Sequence, residues 1–121
     1  MAESVALIPF EHIVSTEFDQ GEGVLVDLNS KQLGPPFSVG REPDVLAYDN
    51  TAKRLYVAAE SGHVTVFQQA NRAIEPLGEL HMPHAHSVAV DQKTHLVYFP
   101  LEDVNGKPVL RIMEFVGAAA H

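Results

Sequence analysis

The stretch VLAYDNTAKRLYVAAESG, residues 45–62, aligns without a gap on SVAVDQKTHLVYFPLEDV, residues 87–104. Identical residues recur 42 positions apart at four places, namely Ala47 and Ala89, Asp49 and Asp91, Tyr56 and Tyr98, and Glu60 and Glu102. A shorter copy lies at residues 4–17, where Ser4-Val5-Ala6-Leu7 is similar to Ser87-Val88-Ala89-Val90. Self-similarity at a fixed period of this size indicates a repeat architecture, so we predict about three repeats of about 42 residues.

Within each copy, short apolar or alternating segments are separated by turn residues, a pattern that predicts β-strands. Asn105-Gly106 predicts a hairpin, and Asp49 and Asp91 are predicted to begin turns. No run has sustained helical periodicity. The predicted strands cover 4–8, 12–17, 24–28 and 36–39 in the first copy, 44–48, 54–59, 63–68 and 77–81 in the second, and 85–90, 95–100 and 109–115 in the third.

Several predicted strands are apolar on both faces, for example Leu55-Tyr56-Val57-Ala58-Ala59. A sheet with one solvated face would alternate more cleanly. Four-stranded antiparallel units of about 42 residues, buried on both faces, are typical of β-propeller blades. We therefore predict an all-β fold; a two-sheet sandwich explains the strands but not the repeat. The predicted blades cover about 4–39, 44–81 and 85–116, the last without an obvious fourth strand, and 117–121 is predicted to be a disordered tail.

Composition excludes several classes of protein. The 121 residues are 45% hydrophobic and 20% charged, which indicates one globular domain. Because the net charge is −8 and no cationic cluster is present, we expect no nucleic-acid partner. The chain has no cysteine, which excludes disulfides and thiolate zinc sites. The start MAESVALIPFEH is acidic and short, so we expect no export signal and no membrane span, and the compartment stays open.

The segment VGREPDVLAYDNTAKRLYVAAESGHVTVF, residues 39–67, resembles the repeat of the YVTN or YncE-like β-propellers, relatives of the NHL and SMP-30-like propellers. The shared features are a Gly-x-x-Pro lead into the inner strand and a Tyr-Val-Ala segment after a D-x-x-x-x-R-L turn. HAHSVAVDQKTHLVYFPLE, residues 84–102, looks like the same unit. The resemblance covers about 23–116 and implies a propeller that is compatible with a periplasmic or secreted location.

Three blades cannot close a ring, because the smallest propellers have about four. We therefore expect a partial propeller: either a piece of a larger propeller or one half of an oligomeric ring, most simply a dimer with six blades. The uncovered outer blades would otherwise expose apolar faces. Arg54 and Arg111, which lie on predicted strands, are candidates to link one blade to the next.

Four residues lie where propellers gather ligand groups, at the entrance to the inner strands. Arg41 and Asp44 precede or begin one inner strand, and His84 and His86 precede or begin the next, with Asp44 and His86 42 positions apart. The histidines are candidates for metal ligation or acid–base work. The alternative, which we prefer, is that they cap the inner strand and bond to backbone groups of a neighbouring blade. His81 is expected to end the previous outer strand, and His95 to form a turn at the opposite end.

A possible divalent cation is the one cofactor that the sequence suggests. Its candidate ligands are His86, Asp44, Glu17, Glu60 and Glu102, the three glutamates recurring in equivalent turns. The alternative is that the glutamates have a repeated structural role, since a fold requirement recurs whereas a site generally does not. We predict a non-catalytic binding or scaffold module that holds a small ligand, cation or protein partner. The alternatives are a metal-dependent lactonase-like hydrolase and a fragment whose site lies elsewhere.

Overall fold

A computed structural model describes residues 5–8, 12–17, 22–27, 30–70, 73–85 and 87–116, with side chains described for 22–24 and from residue 30 onward. The described residues form twelve strands and no helix, and the strands form three antiparallel sheets in chain order. The all-β prediction is confirmed. Within these ranges no helix has the length and apolar character needed to cross a membrane. The predicted tail at 117–121 lies outside the described residues.

The first sheet is formed by β1 (Val5–Ile8), β2 (His12–Glu17), β3 (Glu22–Asp27), β4 (Gln32–Leu33) and β5 (Phe37–Ser38). Its strand order is β1-β2-β3-β4, and β5 also pairs with β3. The strand predicted at 36–39 is shorter in the structure, where it is β5, and the short strand β4 precedes it where no strand was predicted. Gly34-Pro35-Pro36 lies between them, and proline has no N–H group to donate to a strand ladder.

The second sheet is a complete four-stranded unit in the order β6-β7-β8-β9, formed by β6 (Pro43–Asp49), β7 (Arg54–Ala59), β8 (His63–Ala70) and β9 (Ala73–His81). Residues 55–59 of β7 are all buried, as their apolar character on both faces predicted. The outer strand begins at Ala73 rather than at the predicted residue 77. A bulge at Leu77 interrupts the pairing of β8 with β9. On one side of it Phe67 pairs with Pro76, and on the other Val66 pairs with Gly78.

The third sheet has three described strands, β10 (Ala89–Val90), β11 (Leu96–Val104) and β12 (Lys107–Glu114). The inner strand is shorter than the predicted 85–90 because the chain turns just before it: Ala85 N donates to Met82 O at 3.1 Å. The hairpin at Asn105-Gly106 is confirmed. Both residues have positive φ, 55° and 85°, as a two-residue type I′ turn requires.

Two hydrophobic clusters lie on opposite faces of the second sheet. One cluster joins it to the third sheet and includes Tyr56, Val64 and Val66 from the second sheet with Val97 and Phe99 from the third. The other cluster lies on the opposite face and contains Leu55, Val57, Phe67 and Tyr48, with Phe37 packed against it. A central sheet that is buried on both faces is the arrangement that the repeat predicted.

Candidate functional site

At one end of the second and third sheets, three loops are joined by backbone hydrogen bonds. Glu60 N donates to Glu42 O at 2.9 Å, and Ser61 N donates to Arg41 O at 3.4 Å. Met82 N donates to Gly62 O at 2.7 Å, which ties the next loop to the same group. We call residues 41–42, 60–63 and 81–85 the top-face loops. Their backbone groups bond to one another, so the exposed side chains remain available to solvent or a ligand.

Two non-glycine residues in these loops have left-handed backbone conformation. Glu42 has φ 56° and His84 has φ 68°, and the two are 42 positions apart. Such a conformation costs about 1–2 kcal/mol for a residue with a Cβ atom. Because the same geometry recurs at equivalent positions, it belongs to the fold. The side chains that this geometry presents differ, a carboxylate in one repeat and an imidazole in the next.

The predicted ligand-binding residues have different environments. Arg41 and His84 are exposed in the top-face loops, and Asp44 is half-buried on β6. Glu60 and Glu102 are exposed near the turn ends of β7 and β11. Two further candidates carry no side-chain description: Glu17 is the last residue of β2, and His86 lies outside the described residues.

The proposed cation ligands do not form a complete set within the described part of the chain. There, no group of three or more histidines and carboxylates is close enough to hold a metal ion. His86 and the Glu17 side chain lie outside the described part of the chain, so the cation site stays a prediction. Asp44 and Glu102 both have polar interactions of their own in the structure.

A histidine pair in the top-face loops was not among the predicted site residues. His63 begins β8 and pairs directly with His81, the last residue of β9. Their ring centroids are 5.5 Å apart at an interplanar angle of 61°, and Ser61 Oγ lies 3.3 Å from His63 Nδ1. The prediction that His81 ends the outer strand is confirmed. The sequence carried no signal for the pair, because a regular hairpin from Ala70 and Ala73 would place Leu80 opposite His63, and a bulge shifts the register by one residue.

The opposite end of the same sheets carries a polar link between repeats, which we call the Asp49 link. Asp49 is fully buried, and its Oδ1 accepts hydrogen bonds from Thr51 N and Ala52 N, both at 3.1 Å. Its Oδ2 lies 2.7 Å from His95 Nδ1, on the turn of the third sheet. The predicted turn roles of Asp49 and His95 are confirmed. The bond between them, across the two sheets, was not predicted.

Gln92 extends this link along the same edge. Its Nε2 donates to Tyr48 O at 2.9 Å, and its Oε1 accepts from Asn50 N at 2.9 Å. One amide side chain thus satisfies two backbone groups of the second sheet. The turn of the third sheet is therefore fastened to the second sheet by polar contacts in addition to apolar packing.

Two buried tyrosines have perturbed acidity. Desolvation, assisted by the Asp49 carboxylate, raises the pKa of Tyr48 to about 12. The Tyr48 hydroxyl donates to Gln69 Oε1 at 3.0 Å. Burial also raises the pKa of Tyr56, which is only 3% exposed. Both phenols therefore stay neutral near pH 7.

A mostly apolar cavity of about 150 Å³ lies between the second and third sheets. Tyr56, Val66 and Leu80 line it from the second sheet, and Met113 and Phe115 from the third. Arg54 lies beside it, with its guanidinium carbon 3.9 Å from the centre of the Phe115 ring, so the predicted role of Arg54 in linking repeats is confirmed. The polar residues in the lining of the cavity are Tyr56 and Glu114.

Solved structures with known architecture match this arrangement. The β-propeller domain of Cps50 (Swd1) from Myceliophteria thermophila matches with a TM-score of 0.71 and 14% identity, over 93% of this chain and 38% of that one. The WD40 repeats of RRP9 match with a TM-score of 0.67 and 17% identity, over 81% of this chain and 34% of that one. The chain is an arc of a β-propeller.

A chain in the Mitotic Checkpoint Complex also matches, with a TM-score of 0.76 and 8% identity, over 93% of this chain and 35% of that one. The arc thus spans little more than a third of each of these three chains. At such low identities the likeness shows the fold alone. No protein-family model matches the sequence, and no curated protein matches it.

Proposed function

We propose that this chain is a non-catalytic binding or scaffold module that holds its ligand on the top-face loops. The observation that carries the proposal is that one backbone conformation recurs at equivalent loop positions of two repeats, whereas the side chains at those positions differ. Glu42 and His84 have the same left-handed conformation at equivalent positions and are both exposed. A fold that holds loops rigidly while their side chains vary is well suited to recognition.

The chemistry of these loops favours a divalent cation or a polar small molecule as the ligand. These loops expose several carboxylates and imidazoles to solvent, namely Glu42, Glu60, His81 and His84. The net charge of −8 also attracts cations. Asp44 and His86 remain the proposed groups nearest the channel, since each begins or precedes an inner strand. A protein partner that uses the same groups is the other form of this proposal.

We also infer that the repeats are of the YVTN or YncE-like type. The Gly-x-x-Pro lead supports this assignment, because the structure explains why glycine is at position 40 and proline at position 43. A Cβ atom on Gly40 would lie 2.9 Å from the Cβ atoms of both Ala59 and His63, so no side chain fits there. Pro43 is buried and begins β6. In this assignment the arc works as part of a larger ring, supplied by further copies or by the remainder of a larger propeller.

Titration with ZnCl2 and with CaCl2, followed by amide chemical shifts in NMR, tests the binding site. We expect saturable shifts that are concentrated in residues 41–44, 60–63 and 81–86. His84→Ala should weaken Zn²⁺ binding at least about tenfold, because an imidazole ligand is lost. Lys93→Ala, on the opposite end of the third sheet, is the matched control and should leave binding unchanged. Saturable shifts centred away from the top-face loops would contradict the proposed site.

A further inference from the structure

Two imidazoles meet across the hairpin of β8 and β9, at the end that belongs to the top-face loops. His63 is the first residue of β8 and His81 is the last residue of β9, and the two are directly paired. Directly paired residues on antiparallel strands project to the same face of the sheet, with Cβ atoms about 4.5–5.5 Å apart. The hairpin therefore holds both imidazoles on one face, at a spacing that its backbone determines.

We propose that His63 and His81 together bind a first-row transition-metal ion such as Zn²⁺ or Cu²⁺. Imidazole is a ligand that these ions prefer, whereas Ca²⁺ prefers oxygen. Two protein ligands leave the other coordination positions of the ion to water or to a bound ligand. The metal site lies within the top-face loops, so it rests on the ligand-binding function proposed above and names two residues that hold the metal.

The distance between the two rings fits a single ion held by both. Their centroids are 5.5 Å apart. Zn–N bonds of about 2.0–2.1 Å place the centre of each ring about 3.2 Å from the metal, so two rings at a tetrahedral angle have centres about 5.2 Å apart. The rings meet at 61°, and because the His81 side chain is exposed, its ring can rotate toward a shared ion without movement of the backbone.

Ser61 is placed to orient one of the two ligands. Its Oγ lies 3.3 Å from Nδ1 of His63. When the hydroxyl oxygen accepts a hydrogen bond from Nδ1–H, Nε2 of His63 keeps its lone pair for a metal. Histidines that ligate metals usually have such a partner on the other ring nitrogen, which fixes the tautomer. The contact with Ser61 thus favours Nε2 of His63 as the ligating atom.

Two glycines leave room beside the histidine pair. A Cβ atom on Gly40 would lie 2.9 Å from Cβ of His63, and the same atom would lie 3.2 Å from Ser61 Oγ. A Cβ atom on Gly62 would lie 3.9 Å from Cε1 of His81. Glycine at such positions permits the close approach of other groups. Each histidine therefore has a neighbouring position without a side chain, which leaves space for an ion and its water ligands.

The charge around the pair also favours a cation. Glu79 is exposed on β9, and because it precedes His81 by two residues it lies on the same face of that strand. Glu42 and Glu60 are exposed in the top-face loops, where Arg41 is the one arginine or lysine. In the described part of the chain, no three histidines and carboxylates are close enough to share an ion, so these carboxylates act through their field and not as ligands.

Isothermal titration calorimetry of the full chain with ZnCl2 tests the metal site. We expect saturable binding, and His63→Ala and His81→Ala should each raise the dissociation constant at least about tenfold, because a single imidazole replaces a chelate. The double variant should bind little more weakly than either single variant, since the chelate needs both ligands. Glu75→Gln is the matched control: Glu75 is exposed on β9, six positions from His81, and its substitution should leave the constant unchanged.

Electron paramagnetic resonance of the Cu²⁺ complex identifies the ligands directly. Nitrogen couplings from two imidazoles are expected in the parent and from one in His63→Ala, and circular dichroism verifies that each variant keeps the parent's strand content. A parent without saturable Zn²⁺ binding, or Zn²⁺ and Cu²⁺ complexes that neither histidine substitution alters, would overturn this metal site. The function proposed for the top-face loops fails separately, if neither Zn²⁺ nor Ca²⁺ shifts the amide signals of those loops.

Discussion

Replacement of Asp49 by alanine should destabilise the chain far more than the same replacement at Asp91. The two aspartates occupy equivalent positions 42 residues apart, and each accepts two backbone hydrogen bonds within its own turn. They differ in two respects: Asp49 is fully buried, and it also bonds His95 of the next repeat at 2.7 Å. Comparison of the two substitutions therefore measures the effect of burial and of the bond between sheets together.

The expected size follows from the bonds that are lost. A side-chain oxygen that caps backbone N–H groups contributes about 1 kcal/mol. A hydrogen bond to a charged group contributes about 1.5–3 kcal/mol. Asp49→Ala should thus lower the free energy of unfolding by about 2.5–4 kcal/mol, whereas Asp91→Ala should lower it by less than half as much. With an m-value of about 1.5 kcal/mol/M, a loss of about 3 kcal/mol moves the urea midpoint by about 2 M.

Urea unfolding followed by tyrosine fluorescence measures this difference, since the chain has three tyrosines and no tryptophan. His95→Ala and the double variant complete a thermodynamic cycle with Asp49→Ala. We expect a coupling free energy of about 1.5–3 kcal/mol between the two side chains. If the two aspartate variants were equally stable, or the coupling were below about 0.5 kcal/mol, the Asp49 link would not be what fastens the sheets.

Two further predictions concern acidity and backbone conformation. Because burial raises the pKa of Tyr48 from 10.0 to about 12, its contribution to stability is complete below pH 10.0 and is lost as the pH rises toward 12. Asp49→Asn should lower the Tyr48 pKa, which tyrosinate absorbance measures during a pH titration. An unchanged titration would contradict the role of the Asp49 charge. Gly62 has φ 95° and its added Cβ would lie 3.4 Å from Pro83 Cα, so Gly62→Ala should cost about 1 kcal/mol or more. Gly78→Ala, where nothing lies within 4 Å, is its control in thermal unfolding, and equal melting temperatures would refute the strain.

The features that could be predicted from the sequence are those determined by local pattern and by the repeat. The predicted strand at 54–59 matches β7 at both ends, and Asn105-Gly106 forms its hairpin. Asp49 and Asp91 form turns through the bonds expected of aspartate at a turn start. In each case the determining residues are neighbours in sequence, so their short-range chemistry is sufficient.

The features that could not be predicted depend on contacts between distant residues. The bond between Asp49 and His95 spans 46 positions and requires the third sheet to be docked on the second. The inner strand of the third sheet was predicted too long, because Ala85 and Val88 are apolar for packing rather than for strand pairing: both are buried outside β10. The histidine pair at His63 and His81 likewise depends on a hairpin register that a bulge alters.

The repeat itself separates structural positions from candidate functional ones. Left-handed residues recur 42 positions apart twice, as Glu42 and His84 in the top-face loops and as Lys53 and His95 in the turns at the opposite end. In the second pair, the change to histidine has a structural consequence, since His95 bonds Asp49. In the first pair, both side chains are exposed and the change alters only the chemistry presented to solvent. Because the His84 side chain is exposed and Asp49 bonds the histidine of the other pair, substitution of His84 tests the proposed ligand site without breaking the bond between the sheets. His84 is therefore the first residue to substitute.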